Sequence, residues 1–185
     1  MNVTYMIRTF IAVELPHDMT EAIRTIQQEM DFKGLKLVEP DLVHLTMKFL
    51  GDIPESQVEP ISQALAGIDC PPFPAMIAGV GVFPKPAYMK VIWLGARGEF
   101  EHLHGEVERT LKEFRFKKDR GKFTAHATLA RVKHLDNPAR EQLAKVLATL
   151  QDVELGEFTV DHITVKKSTL TPRGPIYETL KKIPL

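Results

Sequence analysis

A chain of 185 residues is long enough for one sizeable core or two small lobes. Its 24 Lys and Arg balance its 24 Asp and Glu, which excludes a protein that coats long nucleic acid with a basic stripe but not one that grasps an RNA end. Cys70 is the only cysteine, which excludes an internal disulfide and a thiolate metal cluster and fits a reducing, cytoplasmic setting.

No apolar run approaches the roughly 18 residues of a membrane span, and Met1 to Arg8 is too short and too polar for a signal peptide. Ile7 to Leu15 alternates around Phe10, Ala12 and Glu14 and predicts a strand, ended by Pro16. Asp18 followed by Glu21 has the form of a capping pair opening a helix to about Phe32, with Ala22, Ile23, Ile26 and Met30 inward and Gly34 as breaker. Leu35 to Val38 reads as a short strand and Glu39-Pro40-Asp41 as a turn. Val43 to Gly51 is a strand closed by Gly51-Asp52. Glu55 to Ala66 predicts a helix with Val58, Ile61 and Leu65 buried and Pro60 in its first turns. Ala75 to Phe83 and Lys90 to Ala96 predict two strands joined by a proline-rich loop. Phe100 to Phe114 predicts a third helix, then Arg115 to Lys122 a basic loop, then the strand Phe123 to Arg131. Pro138 opens a fourth helix to about Leu150, and three strands, 156–160, 163–168 and 176–183, close the chain. Runs of strands broken by four helices predict an α+β fold rather than a parallel doubly wound sheet. The two halves echo one another, so the expected architecture is bilobal. Two pseudo-symmetric lobes, each with an antiparallel sheet and two helices, face a cleft inside one domain of intertwined lobes spanning 1–185.

The echo is chemical as well. His44-Leu45-Thr46-Met47 and His126-Ala127-Thr128-Leu129 repeat His-x-Thr-x at a separation of 82 residues. On a strand, alternate side chains share a face, so each histidine sits beside its threonine with apolar residues behind. One such motif is an ordinary strand; two in matching contexts offer paired proton carriers and paired hydroxyl donors, a set suited to acid-base chemistry on a phosphodiester. Thr46 and Thr128 are expected to hold non-bridging phosphate oxygens. Arg131 is a natural phosphate partner, yet an offset of five puts it on the face opposite His126 unless the strand ends or bulges there; a surface salt bridge is the alternative. Lys48 shares parity with His44 and either adds charge to the site or faces solvent. Segment 109–133 has nine Lys and Arg against two Asp and Glu, either a solvated face or an RNA track. Among Tyr88, Trp93 and Tyr177, Trp93 reads as core and Tyr88 as the better base-stacking candidate. His17, His102, His104, His134 and His162 lack the motif context, and His102 and His104 lack the spacing of a helical metal pair, so no metal or cofactor is expected.

Further stretches, namely Arg8-Thr9-Phe10-Ile11-Ala12, Gly79-Val80-Gly81-Val82-Phe83-Pro84, Val91-Ile92-Trp93-Leu94-Gly95 and Lys167 to Tyr177, together with both motifs, resemble the 2H phosphoesterases, and more closely the LigT-type RNA 2′,3′-cyclic phosphodiesterases, also called 2′-5′ RNA ligases, in an archaeal style. The resemblance covers nearly the whole chain; Ala125 stands where many members have proline. It implies metal-free hydrolysis of a terminal RNA 2′,3′-cyclic phosphate to a 2′-phosphate, with His44 as proton donor and His126 as proton acceptor, and reversible 2′-5′ joining of RNA ends. The implied partners are RNA ends, tRNA fragments among them, and a monomer is expected. The rival readings are a phosphodiesterase for a small cyclic phosphate nucleotide and a noncatalytic RNA-end binding module.

Overall fold

Alternation decides the first strand: over Met6–Glu14 (β1), Ile7, Thr9, Ile11 and Val13 take one face, and Arg8, Phe10, Ala12 and Glu14 take the other. The structure is a computed structural model and describes residues 5–117, 121–172 and 174–185. A 3-10 turn over His17–Met19 leads into α1 (Thr20–Glu29), which buries Ile23, Ile26 and Gln27. The expected capping pair at Asp18 and Glu21 does not form. Position 18 is already wound into the 3-10 turn, and no side chain caps α1. Gly34, at φ 101°, turns the chain into β2 (Leu35–Leu37). β3 (His44–Pro54) does not stop at Gly51-Asp52, because Thr9, Arg8 and Ile7 of β1 continue to pair with Gly51, Asp52 and Ile53.

α2 (Val58–Leu65) buries Val58, Ile61 and Leu65 as its period requires. β4 (Phe73–Lys85) and β5 (Tyr88–Arg97) form a long hairpin. α3 (Phe100–Thr110) buries Phe100, Leu103 and Val107, and Phe100 meets Phe73 edge-on with ring centroids 5.3 Å apart. β6 (His126–Val132) follows. α4 (Asn137–Thr149) begins where the Asp136 carboxylate accepts a hydrogen bond from the Ala139 amide at 2.8 Å, with Pro138 in the first turn. β7 (Glu154–Val160), β8 (His162–Thr171) and β9 (Gly174–Pro184) complete the chain.

All described strand pairings are antiparallel, in the order β7-β4-β5-β6-β3-β1-β8-β9, with β2 added on β6. Apart from β2, the sheet divides into two halves of four strands. β4 and β5 come from the first part of the chain yet pair with β7 and β6 from the second. A single rung, Leu45 opposite Ala127, joins the halves. One face of the sheet is the core, where Ile11, Leu45, Leu94, Ala127, Leu129, Ile163 and Val165 are fully buried against the helices. Burying an aliphatic side chain of this size gives about 1.5–3 kcal/mol, which is why the apolar parity of each strand selects this face. The other face curls around an open cleft. The curl is tight enough that Tyr177 of β9 packs its ring against His44 of β3, three strands away in the sheet order.

Candidate active site

The rung between Leu45 and Ala127 places the two motifs. Extending this antiparallel register by one residue each way sets His44 across from Thr128 and Thr46 across from His126. Directly opposed side chains stand about 5 Å apart and diagonal ones about 7–8 Å, so the four polar groups form a compact square at the base of the cleft.

Both imidazoles are held in the same manner. His44 Nδ1 lies 2.7 Å from the Leu42 carbonyl oxygen, and His126 Nδ1 lies 2.7 Å from that of Thr124. A carbonyl only accepts, so each Nδ1 donates its proton and each Nε2 is left to work in the cleft. The Thr46 hydroxyl donates to His44 Nε2 at 3.1 Å. Aromatic rings fix both imidazole planes. Phe10 stacks on His44 at 5.0 Å and Tyr177 meets it edge-on at 5.4 Å. Phe83 meets His126 edge-on at 4.9 Å, with Trp93 at 6.2 Å.

The two histidines differ electrically in their surroundings. Glu14 of β1 lies opposite His44 in register, and its carboxylate accepts a hydrogen bond from Lys166 of β8. Burial pushes the His44 imidazole below its ordinary value; the Leu42 carbonyl and the Glu14 charge oppose that push, and the Lys166 and His126 charges add to it. The corresponding place opposite His126 is Gly95, which brings no charge.

Strand parity fails just past the motif in each strand, for the same reason, and β3 has a second shift that leaves Leu50 extra between Phe49 and Gly51. In β3, Ile11 pairs with Lys48 and Ala12 with Thr46, which leaves Met47 as an extra residue. In β6, Ile92 pairs with Ala130 and Trp93 with Thr128, which leaves Leu129 extra. Each is a β-bulge, and each reverses the faces beyond it. Arg131 is thereby turned from the core face to the cleft, where its charge and that of Arg8 act on the Tyr177 phenol. Lys48 is turned the other way. It is neither in the site nor in solvent: it is 3% exposed and pairs with Glu108 of α3 beneath the sheet. Phe49 takes its place on the cleft side, 54% exposed. The 82-residue offset that maps His44 onto His126 maps Phe49 onto Arg131.

Sequence reasoning missed the braces of these bulges. Gln27 of α1 is buried, and its side-chain amide donates to the carbonyls of Val38 at 2.6 Å and Leu129 at 3.0 Å. The second acceptor is the carbonyl of the bulged residue itself. A lone Gln on the apolar side of a helical pattern was the available signal. Trp93 was also misread: the indole lies on the cleft face over Gly81, where an added Cβ would meet the ring at 2.3 Å. Tyr88 sits at the outer end of the β4–β5 hairpin beside Lys90, whose ammonium is 5.1 Å from its ring centroid. In the basic segment, Arg115, Lys117 and Lys122 are exposed, while 118–120 lie outside the described residues. His102 and His104 are engaged elsewhere: His102 Nε2 is 2.8 Å from the Asp69 carbonyl oxygen, and His104 stacks on Phe123 at 4.1 Å.

A family model described as "LigT like Phosphoesterase" matches residues 13–93 and 95–177, two successive stretches that each hold one His-x-Thr motif. Proteins named RNA 2′,3′-cyclic phosphodiesterase are similar over almost their whole length. That of Methanocaldococcus jannaschii is 37% identical, covering 95% of this chain and 99% of its own, and that of Archaeoglobus fulgidus is 35% identical, covering 94% and 98%. Among solved structures, TT0787 of Thermus thermophilus superposes with a TM-score of 0.80 at 30% identity, over 96% of this chain and 97% of its own. Escherichia coli LigT complexed with 3′-AMP shares the fold, with a TM-score of 0.78 at 21% identity over 98% and 99%. Two motif-bearing halves, a curled antiparallel sheet and relatives matched end to end give one conclusion: the chain belongs to the LigT-like phosphoesterases of the 2H group.

Proposed function

We propose that this phosphoesterase opens terminal 2′,3′-cyclic phosphates on RNA to 2′-phosphates by two-histidine acid-base catalysis. The observation that carries the reading is the pair of imidazoles, each with Nδ1 tied to a carbonyl two residues upstream and Nε2 left for proton exchange, that of His44 beside the Thr46 hydroxyl. Opening the ring requires a proton removed from the attacking water and a proton given to the departing 3′-oxygen. His126 takes the first role and His44 the second. Burial favours a neutral His44; the negative phosphodiester raises its proton affinity on binding and so charges the donor when it is needed. Thr46 and Thr128 donate hydrogen bonds to the non-bridging oxygens, and Arg131 neutralises charge at the cleft rim.

With a 5′-hydroxyl in place of water as the attacking group, the same proton movements release the 3′-oxygen and leave the two ends joined through a 2′-5′ bond. All five groups come from one chain, so the site needs no second copy, and residues 1–185 act as one unit. The exposed Arg115, Lys117 and Lys122 near the second motif, and the names of the relatives, favour RNA ends over a small cyclic nucleotide. The deciding experiment measures hydrolysis of an oligoribonucleotide ending in a 2′,3′-cyclic phosphate. His44→Ala and His126→Ala are expected to lower kcat about 10²–10⁴-fold each while oligonucleotide binding survives. Wild-type protein that binds the oligonucleotide without turning it over would instead establish a binding module.

A further inference from the structure

We propose that one turn of α3, from His104 to Glu108, is a clamp that positions the two active-site imidazoles, because it grips the strand just beyond the first motif and the segment just ahead of the second. The inference rests on the two-histidine function proposed above and adds the residues that set the gap between His44 and His126. His104 and Glu108 act through the backbone that carries the rings, not on the substrate.

The need for a second joint follows from the sheet. Between β3 and β6 the ladder has one rung, Leu45 opposite Ala127, and a single rung is a hinge rather than a fixed spacer. α3 is anchored in the core by Phe100, Leu103 and Val107 and supplies a rigid body to which both motifs are fastened.

On one side the clamp reaches β3. The bulge at Met47 turns Lys48, four residues past His44, to the core face, where its ammonium donates a hydrogen bond to Glu108 Oε1. Only 3% of the Lys48 side chain is exposed, so release would leave a buried charge without a partner. The same carboxylate oxygen lies 4.0 Å from His104 Nε2, one turn back along the helix. On the other side, the His104 ring stacks on Phe123, with centroids 4.1 Å apart and planes 15° from parallel. Phe123 immediately precedes Thr124, whose carbonyl oxygen accepts from His126 Nδ1 at 2.7 Å. Lys122 adds a contact to the same stripe of the helix, 3.7 Å from Glu101. A displacement of Phe123 thus carries the His126 tether with it, as a displacement of Lys48 carries β3.

Apolar residues of equal volume would fill the space under the sheet without desolvating two charges. What the ion pair adds is a fixed length and direction, and what the stacked rings add is a fixed plane. A proton donor and acceptor acting on one phosphorus need both, because about 1 Å of misplacement costs about 10²-fold in rate.

Exchange of arm lengths tests the clamp. Glu108→Asp shortens the carboxylate arm by one methylene, and Lys48→Arg lengthens the opposite arm. On an oligoribonucleotide ending in a 2′,3′-cyclic phosphate, Glu108→Asp is expected to lower kcat about 10–10²-fold with KM within about twofold. Lys48→Arg/Glu108→Asp should regain most of the loss. His104→Phe, which keeps a ring over Phe123, should lose less kcat than His104→Ala. Lys48→Met/Glu108→Leu guards against misfolding: it fills the same space without a directed contact, so it should unfold at the wild-type urea midpoint or above and still turn over slowly. Proton NMR titration of the imidazoles reads the gap without turnover. The His126 charge lowers the proton affinity of His44, so His126→Gln should raise the His44 pKa. That rise should shrink when Glu108→Asp is added and return in the background with exchanged lengths. Losses of kcat that track the urea midpoint alone, or a rise that is the same in all three backgrounds, overturn the clamp. A wild type inert toward cyclic phosphates removes the catalytic reading, and the titrations still decide whether α3 sets the gap.

Discussion

At the residue scale, the His44 and His126 roles are separable by chemistry rather than by position. A donor is needed only while the leaving atom is a poor anion. With sulfur in place of the 3′-oxygen, the departing thiolate is stable near neutral pH, since thiols ionise at about 8.5. His44→Ala should then recover most of its lost rate on the sulfur substrate, while His126→Ala should stay slow; the reverse pattern would exchange the two assignments. The imidazole environment has a second consequence. His44 is held below its ordinary value by burial, so the unfolded chain takes up this proton first as pH falls. The stability it contributes is present above the ordinary value of 6.5 and lost as pH drops through the folded-state value. Urea unfolding at pH 7.5 and 5.5 should show wild type losing stability relative to His44→Gln on acidification, and a saturating 2′-phosphomononucleotide should reduce the loss. Thr46→Val and Thr128→Val, which remove hydroxyl donors and keep shape, are expected to cost about 10²–10³ in kcat.

At the scale of the element, most of the strands and all four helices were legible from period alone, because apolar side chains at two-residue or three-to-four-residue spacing have only one way to face a core. The motifs were legible for the same reason: His44 and Thr46, and His126 and Thr128, lie within two residues of each other, before any break in alternation. What strict parity could not give was the face of Lys48 or Arg131. Both faces are set by the bulges at Met47 and Leu129, which the sequence reading allowed for at Arg131 and not at Lys48. A bulge is fixed by the partner strand and by distant braces, and no property of the bulged residue announces it. The brace at Leu129 is Gln27, 102 residues away. Gln27→Leu should therefore act on catalysis through geometry. It leaves a buried carbonyl with one partner fewer, for about 1–3 kcal/mol of stability, and loosens the turn that aims Arg131. The expected result is a raised KM that Arg131→Ala does not raise further in the double variant. Fully additive losses would show that Gln27 and Arg131 act independently.

At the scale of the whole molecule, the division of labour follows from the chain's path. Each half of the sheet brings one imidazole and one hydroxyl, and neither half holds a usable pair. The halves are similar in backbone and unlike in lining. Glu14 and Lys166 stand beside one histidine and Phe83 and Trp93 beside the other, while Phe49 and Arg131 occupy matching positions at opposite ends. A near-symmetric frame thus holds an asymmetric lining. Net charge said nothing of this, since 24 positive and 24 negative side chains cancel in the sum while the cleft collects its own.

The lone rung between Leu45 and Ala127 makes the gap between the two imidazoles depend on very little material. Both side chains are fully buried on the core side, directly behind the two His-x-Thr pairs, so they act as the shim that sets the jaw. Enlarging one by a few methylenes, as in Ala127→Leu, should cost about 1–3 kcal/mol in overpacking and also splay the jaw. Turnover should then fall well beyond the fraction of molecules that unfold, while each imidazole keeps its own carbonyl tether.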